Sequence, residues 1–233
     1  MSARVHPLIA PLIVLLLIIA WDATGLDLRV VRLFGDATGF SLRDHWLFSK
    51  VLHDGVRMLS WMVLAILLAT CVVPQRFGLS GPLQRRWVLI STIVAIAVPA
   101  IKQISLTSCP WSLAEFGAIA SYVPHWMPGQ RDGGPGRCFP SGHVVNAFAF
   151  LPGWLLYRQS RTSLARAILA GVLAVGLLSG IAQIVRGAHY PSHILWAAWL
   201  CWVIAALGSG LALRRLQRAG RSTEKAGSAV AAG

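Results

Sequence analysis

The residues of this sequence that could do chemistry are polar groups that border long apolar segments. They include imidazoles, two cations, a hydroxyl and a glycine: Lys102, Ser141, Gly142, His143, Arg186, His189 and His193. Cations, hydroxyls and backbone amides are groups that hold a phosphate, and imidazole changes its protonation state near neutral pH. One histidine could therefore attack phosphorus while another protonates the departing oxygen. The set predicts phosphate chemistry.

The tetrapeptide Pro140-Ser141-Gly142-His143 precedes an apolar segment and is typical of a helix start. A serine hydroxyl and free backbone amides at the positive end of a helix stabilise a doubly charged oxyanion. Lys102 and Arg186 would add positive charge. We therefore expect Ser141 and Gly142 to bind the phosphate together with these two cations.

The segments that position these groups are apolar enough to cross a membrane. Of the 233 residues, 56% are hydrophobic and only 12% are charged, whereas soluble domains carry about 25% charged residues. The net charge of +13 is dispersed between the apolar segments and the tail, so we expect no binding of nucleic acid. The composition indicates an integral membrane protein and excludes an ordinary soluble domain.

Six apolar stretches predict an all-α, polytopic membrane protein built as a six-helix transmembrane bundle. The predicted spans lie near residues 5–24, 57–74, 87–105, 143–157, 164–186 and 193–213. They lack the alternation of barrel strands. We expect a single domain over residues 1–218 and a disordered cytoplasmic tail over residues 219–233.

The loop between the first two spans carries apolar residues at helical spacing: Leu42, Trp46, Leu47, Val51 and Leu52. This pattern predicts an amphipathic helix that lies in the membrane interface.

The basic residues orient the bundle. Twelve of the 21 Lys and Arg residues lie in the two termini and in the loops on their side of the membrane. Both termini are therefore expected to be cytoplasmic. The residues that could bind phosphate then all fall at the outer ends of their spans, although the span assignment did not use them. The remaining histidines, His6, His45, His53 and His125, are expected to have surface or structural roles.

With these residues in place, the sequence resembles the type-2 phosphatidic acid phosphatases, which share their site with vanadium haloperoxidases. The resemblance covers about residues 102–193 in three blocks. Lys102 matches the first block, Pro140-Ser141-Gly142-His143 completes the second, and His189 matches the third. The resemblance implies that His189 is the nucleophile and forms a phosphohistidine, and that His143 is the acid for the leaving group. It implies a phosphate cradle of Lys102, Ser141 and Gly142; Arg186 is our own addition.

Four family positions differ in this chain, and two of them are Ala182 and Gln183, which stand where the third block has serine and arginine. Cys109 stands where the first block has arginine, and His193 stands where the third has the aspartate that orients the nucleophile. A neutral imidazole at His193 could accept the same hydrogen bond without the full charge. Arg131 or Arg137 could replace the missing arginine, unless they are ordinary solvated loop charges. On the outer side, Cys109 and Cys138 could also form a disulfide that ties the third span to the phosphate loop.

The resemblance implies a bacterial inner-membrane enzyme that needs no cofactor or metal and acts at the periplasmic face. Its implied substrates are phosphorylated membrane lipids: undecaprenyl diphosphate, phosphatidylglycerol phosphate, phosphatidate or lipid A. Three alternatives stay open at this point. They are a lipid phosphotransferase that uses the same intermediate, a metal hydrolase with His143, His189 and His193 as ligands, and a non-catalytic bundle that binds or transports lipid.

Overall fold

The computed structural model describes residues 9–72, 81–127 and 129–231, with side chains as far as Leu216. The described residues form helices and contain no strand beyond two isolated bridges. The longer helices are α1 (Ile9–Thr24), α2 (Leu26–Val31), α3 (Val56–Val72), α4 (Pro82–Gln103), α5 (Gly142–Phe148), α6 (Leu151–Tyr157), α7 (Thr162–Val185) and α8 (Pro191–Ala231). The all-α prediction is confirmed.

Four helical segments are long and apolar enough to cross a membrane: Leu47–Val72, Pro82–Gln103, Thr162–Val185 and Pro191–Leu216. Helix α1 is apolar but shorter, with 16 residues. The outward faces of these helices expose large apolar side chains such as Leu16, Ile96 and Leu177. Broad exposed apolar surface of this kind is typical of contact with lipid. The fold is a helical membrane bundle.

The segment predicted as the fourth span is helical but interrupted. Helix α5 ends at Phe148 and α6 begins at Leu151, so the two together cover residues 142–157. The cause is Pro152 in the first turn of α6, which has no N–H to continue the helical ladder. The indole of Trp87 donates to the carbonyl oxygen of Phe150 at the break, 3.2 Å away.

The predicted amphipathic segment is also helical, although it is not a separate helix. Leu47–Gly55 adopts a π-helical turn and runs directly into α3. Its location in the membrane interface stays a prediction. The disordered tail over residues 219–233 also stays a prediction, because the side chains beyond Leu216 lie outside the described residues.

Helix α4 packs against α3, α5, α6 and α8. Its residues Val94 and Val98 are completely buried, as is Cys201 of α8, and Val145 of α5 is almost completely buried beside them. This packing brings together the C-terminal end of α4 and the N-terminal ends of α5 and α8. Helix α7 packs on α5 and α6 and adds a fourth end to the same region.

Candidate active site

The residues predicted to bind phosphate lie at these four helix ends. Lys102 is in the last turn of α4, Ser141 precedes α5, Gly142 and His143 begin it, Arg186 ends α7, His189 lies in the link to α8, and His193 is in the first turn of α8. The ring centres of His143 and His189 are 5.9 Å apart, as are those of His189 and His193. A Cβ on Gly142 would lie 4.0 Å from Nζ of Lys102. The structure thus brings residues separated by 91 positions in the chain into one site.

The turn after α7 positions His189. Gly187 has a positive φ of 69°, which only glycine adopts readily. Its amide donates to the carbonyl of Ile184 at 2.9 Å, and that of Ala188 donates to Gln183 at 2.8 Å. These are the two hydrogen bonds of a Schellman motif, which ends a helix and redirects the chain. A side chain at Gly187 would overlap the ring of Phe40, since its Cβ would lie 2.4 Å from Cδ2.

Asp27 fixes the start of α8 from outside the helix. Its carboxylate accepts hydrogen bonds from the amide and hydroxyl of Ser192, and from the indole of Trp21 at 2.9 Å. A carboxylate at this position satisfies a free amide and interacts favourably with the helix dipole. The register of His193 relative to His189 is therefore held by α2 as well as by α8.

Two of the residues predicted to bind phosphate have a buried polar atom that makes no hydrogen bond to the described residues. The hydroxyl of Ser141 is buried and has no hydrogen-bond partner, while the Ser141 amide donates to the carbonyl of His193 at 3.0 Å. Arg186 donates through Nε to the carbonyl of Arg43 at 2.7 Å, which leaves its buried Nη1 without a partner. A buried polar group without a partner is costly, so both atoms favour a polar ligand here.

His189 is 1% exposed. Burial lowers its pKa well below the ordinary value of 6.5, and the positive charge of Lys102 acts in the same direction. The imidazole is thus held neutral, which leaves a lone pair on one of its ring nitrogens. Its Nδ1 lies 3.5 Å from Sγ of Cys138.

Cys138 and Cys109 form a disulfide with a Cα–Cα distance of 5.2 Å. The bond joins the segment that follows α4 to the loop that precedes Ser141. The same two segments are paired through the amide of Cys138, which donates to the carbonyl of Thr107 at 2.9 Å.

His193 lies in an aromatic environment rather than in a hydrogen bond with His189. Its ring centre is 5.0 Å from Tyr190, 5.2 Å from Phe139 and 5.5 Å from His125. Its Nδ1 is buried without a hydrogen-bond partner. Nδ1 of His189 contacts Cys138 instead. Among the described residues, no hydrogen bond joins His193 to His189, so the expected orienting role of His193 is not supported by a contact.

His53 is a site neighbour that sequence reasoning assigned to a structural role. Its ring centre lies 4.2 Å from that of His143, and its Nδ1 lies 2.8 Å from a carboxylate oxygen of Asp54. The π-helical turn that carries it is a feature often found at functional sites. The sequence shows a histidine and an aspartate just before a predicted span, which could have marked His53 as functional. Their spacing does not, however, indicate a contact with His143 of α5.

A cavity of about 280 Å³ opens beside His143, between α3, α4 and α5. Its polar end is formed by Lys102, Gly142, His143 and Arg57. Its walls are largely apolar and include Trp61, Leu64, Ala95 and Phe150. A charged head and an apolar tail are the two parts of a ligand that such a cavity suits.

Arg131 and Arg137 do not line this cavity. They border a different depression in the loop between α4 and α5, together with Gln103, Ser105 and Asp132. The structure therefore gives no support to either arginine as a substitute at the site of Lys102.

The described residues contain two groups that could hold a metal ion by proximity: Cys109, Cys138 and His189, and separately Asp22, Asp27 and His125. In the first group, the sulfurs of Cys109 and Cys138 are bonded to each other in a disulfide, so neither is a thiolate that could bind a metal. The metal alternative required His143, His189 and His193, which do not form such a group in the described ranges. The geometry does not favour that alternative.

Comparisons with known proteins identify the family of this chain. Residues 85–216, more than half of the chain, match the model of the PAP2 superfamily. A segment of 95 residues is 30% identical to phosphatidylglycerophosphatase B of Haemophilus influenzae, which covers 40% of this chain and 39% of that protein. The chain thus aligns with about two fifths of this curated relative. No solved structure matches.

Proposed function

The chain belongs to the PAP2 superfamily, and we propose that it is a membrane lipid phosphatase that removes a phosphate from a lipid phosphate or diphosphate headgroup. The observation that carries the proposal is the cavity in which Lys102, Gly142 and His143 meet apolar walls. A phosphate at the polar end and a lipid tail along the walls would use both surfaces.

The proposed reaction has two steps. Nε2 of His189 attacks phosphorus and forms a phosphohistidine, while the bond from phosphorus to the lipid oxygen breaks. His143 gives a proton to that oxygen, which leaves as the lipid alcohol, or as a lipid phosphate when the substrate is a diphosphate. Water then attacks the phosphohistidine, loses a proton to His143 and releases inorganic phosphate, which returns both histidines to their starting states.

Electrostatic stabilisation comes from the groups around the phosphate. Lys102 supplies a cation, Arg186 a second one through its unpartnered Nη1, and Ser141 a buried hydroxyl. Preorganised donors of this kind stabilise the charge that develops on the phosphoryl oxygens.

We propose phosphatidylglycerol phosphate as the first substrate to test, because the curated relative is named phosphatidylglycerophosphatase B. Undecaprenyl diphosphate, phosphatidate and the phosphates of lipid A complete the panel. They share a phosphate at the membrane surface and differ in the leaving group and the tail.

We propose that six helical segments cross the membrane, with α5 and α6 together forming the fourth, and that both termini are cytoplasmic. The site would then face the periplasm of a bacterial inner membrane. The distribution of basic residues supports this orientation. Labelling of single cysteines with a membrane-impermeant maleimide in intact cells tests it: a cysteine at Ile119 in the outer loop should react, and one at Ser160 should not.

The central experiment measures inorganic phosphate released from the lipid panel by protein purified without reductant and assayed in EDTA. The unsubstituted chain is compared with His189→Ala and with His45→Ala, which removes an exposed histidine outside the site. Release that is lost only in His189→Ala supports the phosphatase. Release that stops on chelation favours a metal hydrolase, whereas transfer to a lipid acceptor without free phosphate favours the transferase.

A further inference from the structure

The disulfide between Cys109 and Cys138 contacts the proposed nucleophile directly. Sγ of Cys138 lies 3.5 Å from Nδ1 of His189, and both residues are almost completely buried. The distance is within the range of a hydrogen bond to sulfur. The same sulfur lies 3.2 Å from the carbonyl oxygen of Ala188, so the disulfide packs against both the backbone and the ring of this turn.

A sulfur in a disulfide carries no proton and can only accept a hydrogen bond. The contact with Cys138 is therefore favourable only when Nδ1 of His189 carries the proton. In a neutral imidazole the proton on Nδ1 leaves the lone pair on Nε2. The disulfide thus favours the tautomer whose Nε2 can attack phosphorus.

We propose that the Cys109–Cys138 disulfide is a positioning element for the reaction, which holds His189 in the tautomer with Nδ1 protonated and Nε2 nucleophilic. The catalytic role in this inference rests on the proposed function, whereas the tautomer of His189 can be measured without any substrate. His193 does not supply the same hydrogen bond, because its ring packs among Phe139, His125 and Tyr190.

Reduction removes this selection. A reduced Cys138 has an S–H that can donate to Nδ1 of His189 or to the carbonyl oxygen of Ala188, 3.2 Å from Sγ, so the tautomer with the proton on Nε2 and no lone pair there becomes accessible. The loop is meanwhile held by other bonds. The amide of Arg137 donates to Ser105 at 2.8 Å, that of Cys138 donates to Thr107 at 2.9 Å, and the carboxylate of Asp132 binds both the amide and the hydroxyl of Ser108.

The experiment compares oxidised protein with protein reduced by a phosphine, with the thiols counted by alkylation and mass spectrometry. Reduction should lower kcat roughly tenfold or more, as expected for a catalytic histidine in the wrong tautomer, and leave KM within about twofold. The variant Cys71→Ala, which removes a free thiol on α3, should respond to the reductant as the unsubstituted chain does. A double variant Cys109→Ala/Cys138→Ala should have a low kcat that the reductant does not change.

A measurement of the tautomer separates this role from a mechanical one. In protein labelled with ¹⁵N-histidine, the His189 signals, assigned by their loss in His189→Gln, should show Nδ1 protonated before reduction and a shift toward protonated Nε2 afterwards. An unchanged kcat after complete reduction overturns the proposal, as does a lower kcat with the same tautomer. If the oxidised protein hydrolyses no lipid, the proposed function fails, and the ¹⁵N signals still decide the tautomer.

Discussion

The imidazole ring of His53 lies against that of His143, with 4.2 Å between the ring centres. Asp54 accepts a hydrogen bond from Nδ1 of His53, which orients the ring. The proposed acid of the reaction therefore has a second imidazole and a carboxylate beside it, on a segment that also supplies Arg57 to the cavity wall.

We expect His143→Ala to abolish release from alkyl phosphates, such as lipid headgroups, and to spare aryl phosphates with a good leaving group. A good leaving group needs little protonation in the transition state, so loss of the acid matters less. His53→Gln should change the rates in the same sense by a smaller factor. Turnover of phosphatidate and of p-nitrophenyl phosphate by each variant checks this, and an equal loss on both substrates by His143→Ala contradicts the assigned role.

Gly142→Ala should reduce activity without unfolding the protein. The added methyl group would meet Lys102 at ordinary contact distances, 3.9 Å from Cδ and 4.0 Å from Nζ. It would, however, occupy space beside the lysine where the phosphate is proposed to bind. We expect kcat/KM to fall by roughly tenfold or more, with a small change in Tm.

Gly171→Ala is the matched control, because this glycine lies within α7 and nothing lies within 4 Å of its added Cβ. It should leave kcat/KM unchanged and stabilise the helix by up to about 1 kcal/mol. A Gly142→Ala protein with full activity would place the phosphate elsewhere.

His193→Gln should affect stability more than catalysis. The ring of His193 packs against Phe139, His125 and Tyr190, and its replacement should lower the free energy of unfolding by about 1–3 kcal/mol. The kcat of the folded fraction should stay within about tenfold, since Nδ1 of His189 is directed at Cys138 instead. Thermal unfolding in detergent and kcat are measured together; a loss of kcat at unchanged stability would restore His193 as the orienting group.

The acid limb of the pH profile should lie below pH 6.5. Burial, assisted by the charge of Lys102, lowers the pKa of His189 below the usual 6.5, so the nucleophile stays neutral into the acidic range. The same shift predicts that stability falls as the pH drops below about 6.5, because the unfolded chain then binds a proton that folded His189 excludes. We would measure kcat/KM against pH. If kcat/KM falls to half of its maximum on the acid side at pH 6.5 or above, the result contradicts a lowered pKa for His189.

The sequence predicted the helical segments well because each follows from a run of apolar residues. Helices are found at all six predicted stretches, although the fourth is broken where Pro152 removes an amide from the ladder. The sequence analysis did not predict that break, and a proline alone does not indicate one, because Pro99 lies inside the continuous helix α4. The continuation of Leu47–Gly55 into α3 was not predicted either, because amphipathic spacing does not indicate whether one helix ends before the next begins.

The site was predictable to the extent that its residues mark helix ends. Lys102, Gly142 and His143 line one cavity, and His189 lies close to them, as placement on one side of the membrane required. The contact between Cys138 and His189 joins residues 51 positions apart through the turn at Gly187. Such a contact depends on tertiary packing, and neither periodicity nor spacing indicates which nitrogen faces the sulfur.

The cavity beside His143 includes Trp61 in its wall, and that side chain is exposed on the outside of the bundle. Under the proposed function, a lipid substrate would enter from this exposed side of α3 while its tail remains among other lipids. Encounter would then be a two-dimensional search within one leaflet. Turnover would follow the mole fraction of phosphorylated lipid in the membrane, and dilution with inert lipid would slow the enzyme even at a constant bulk concentration of substrate.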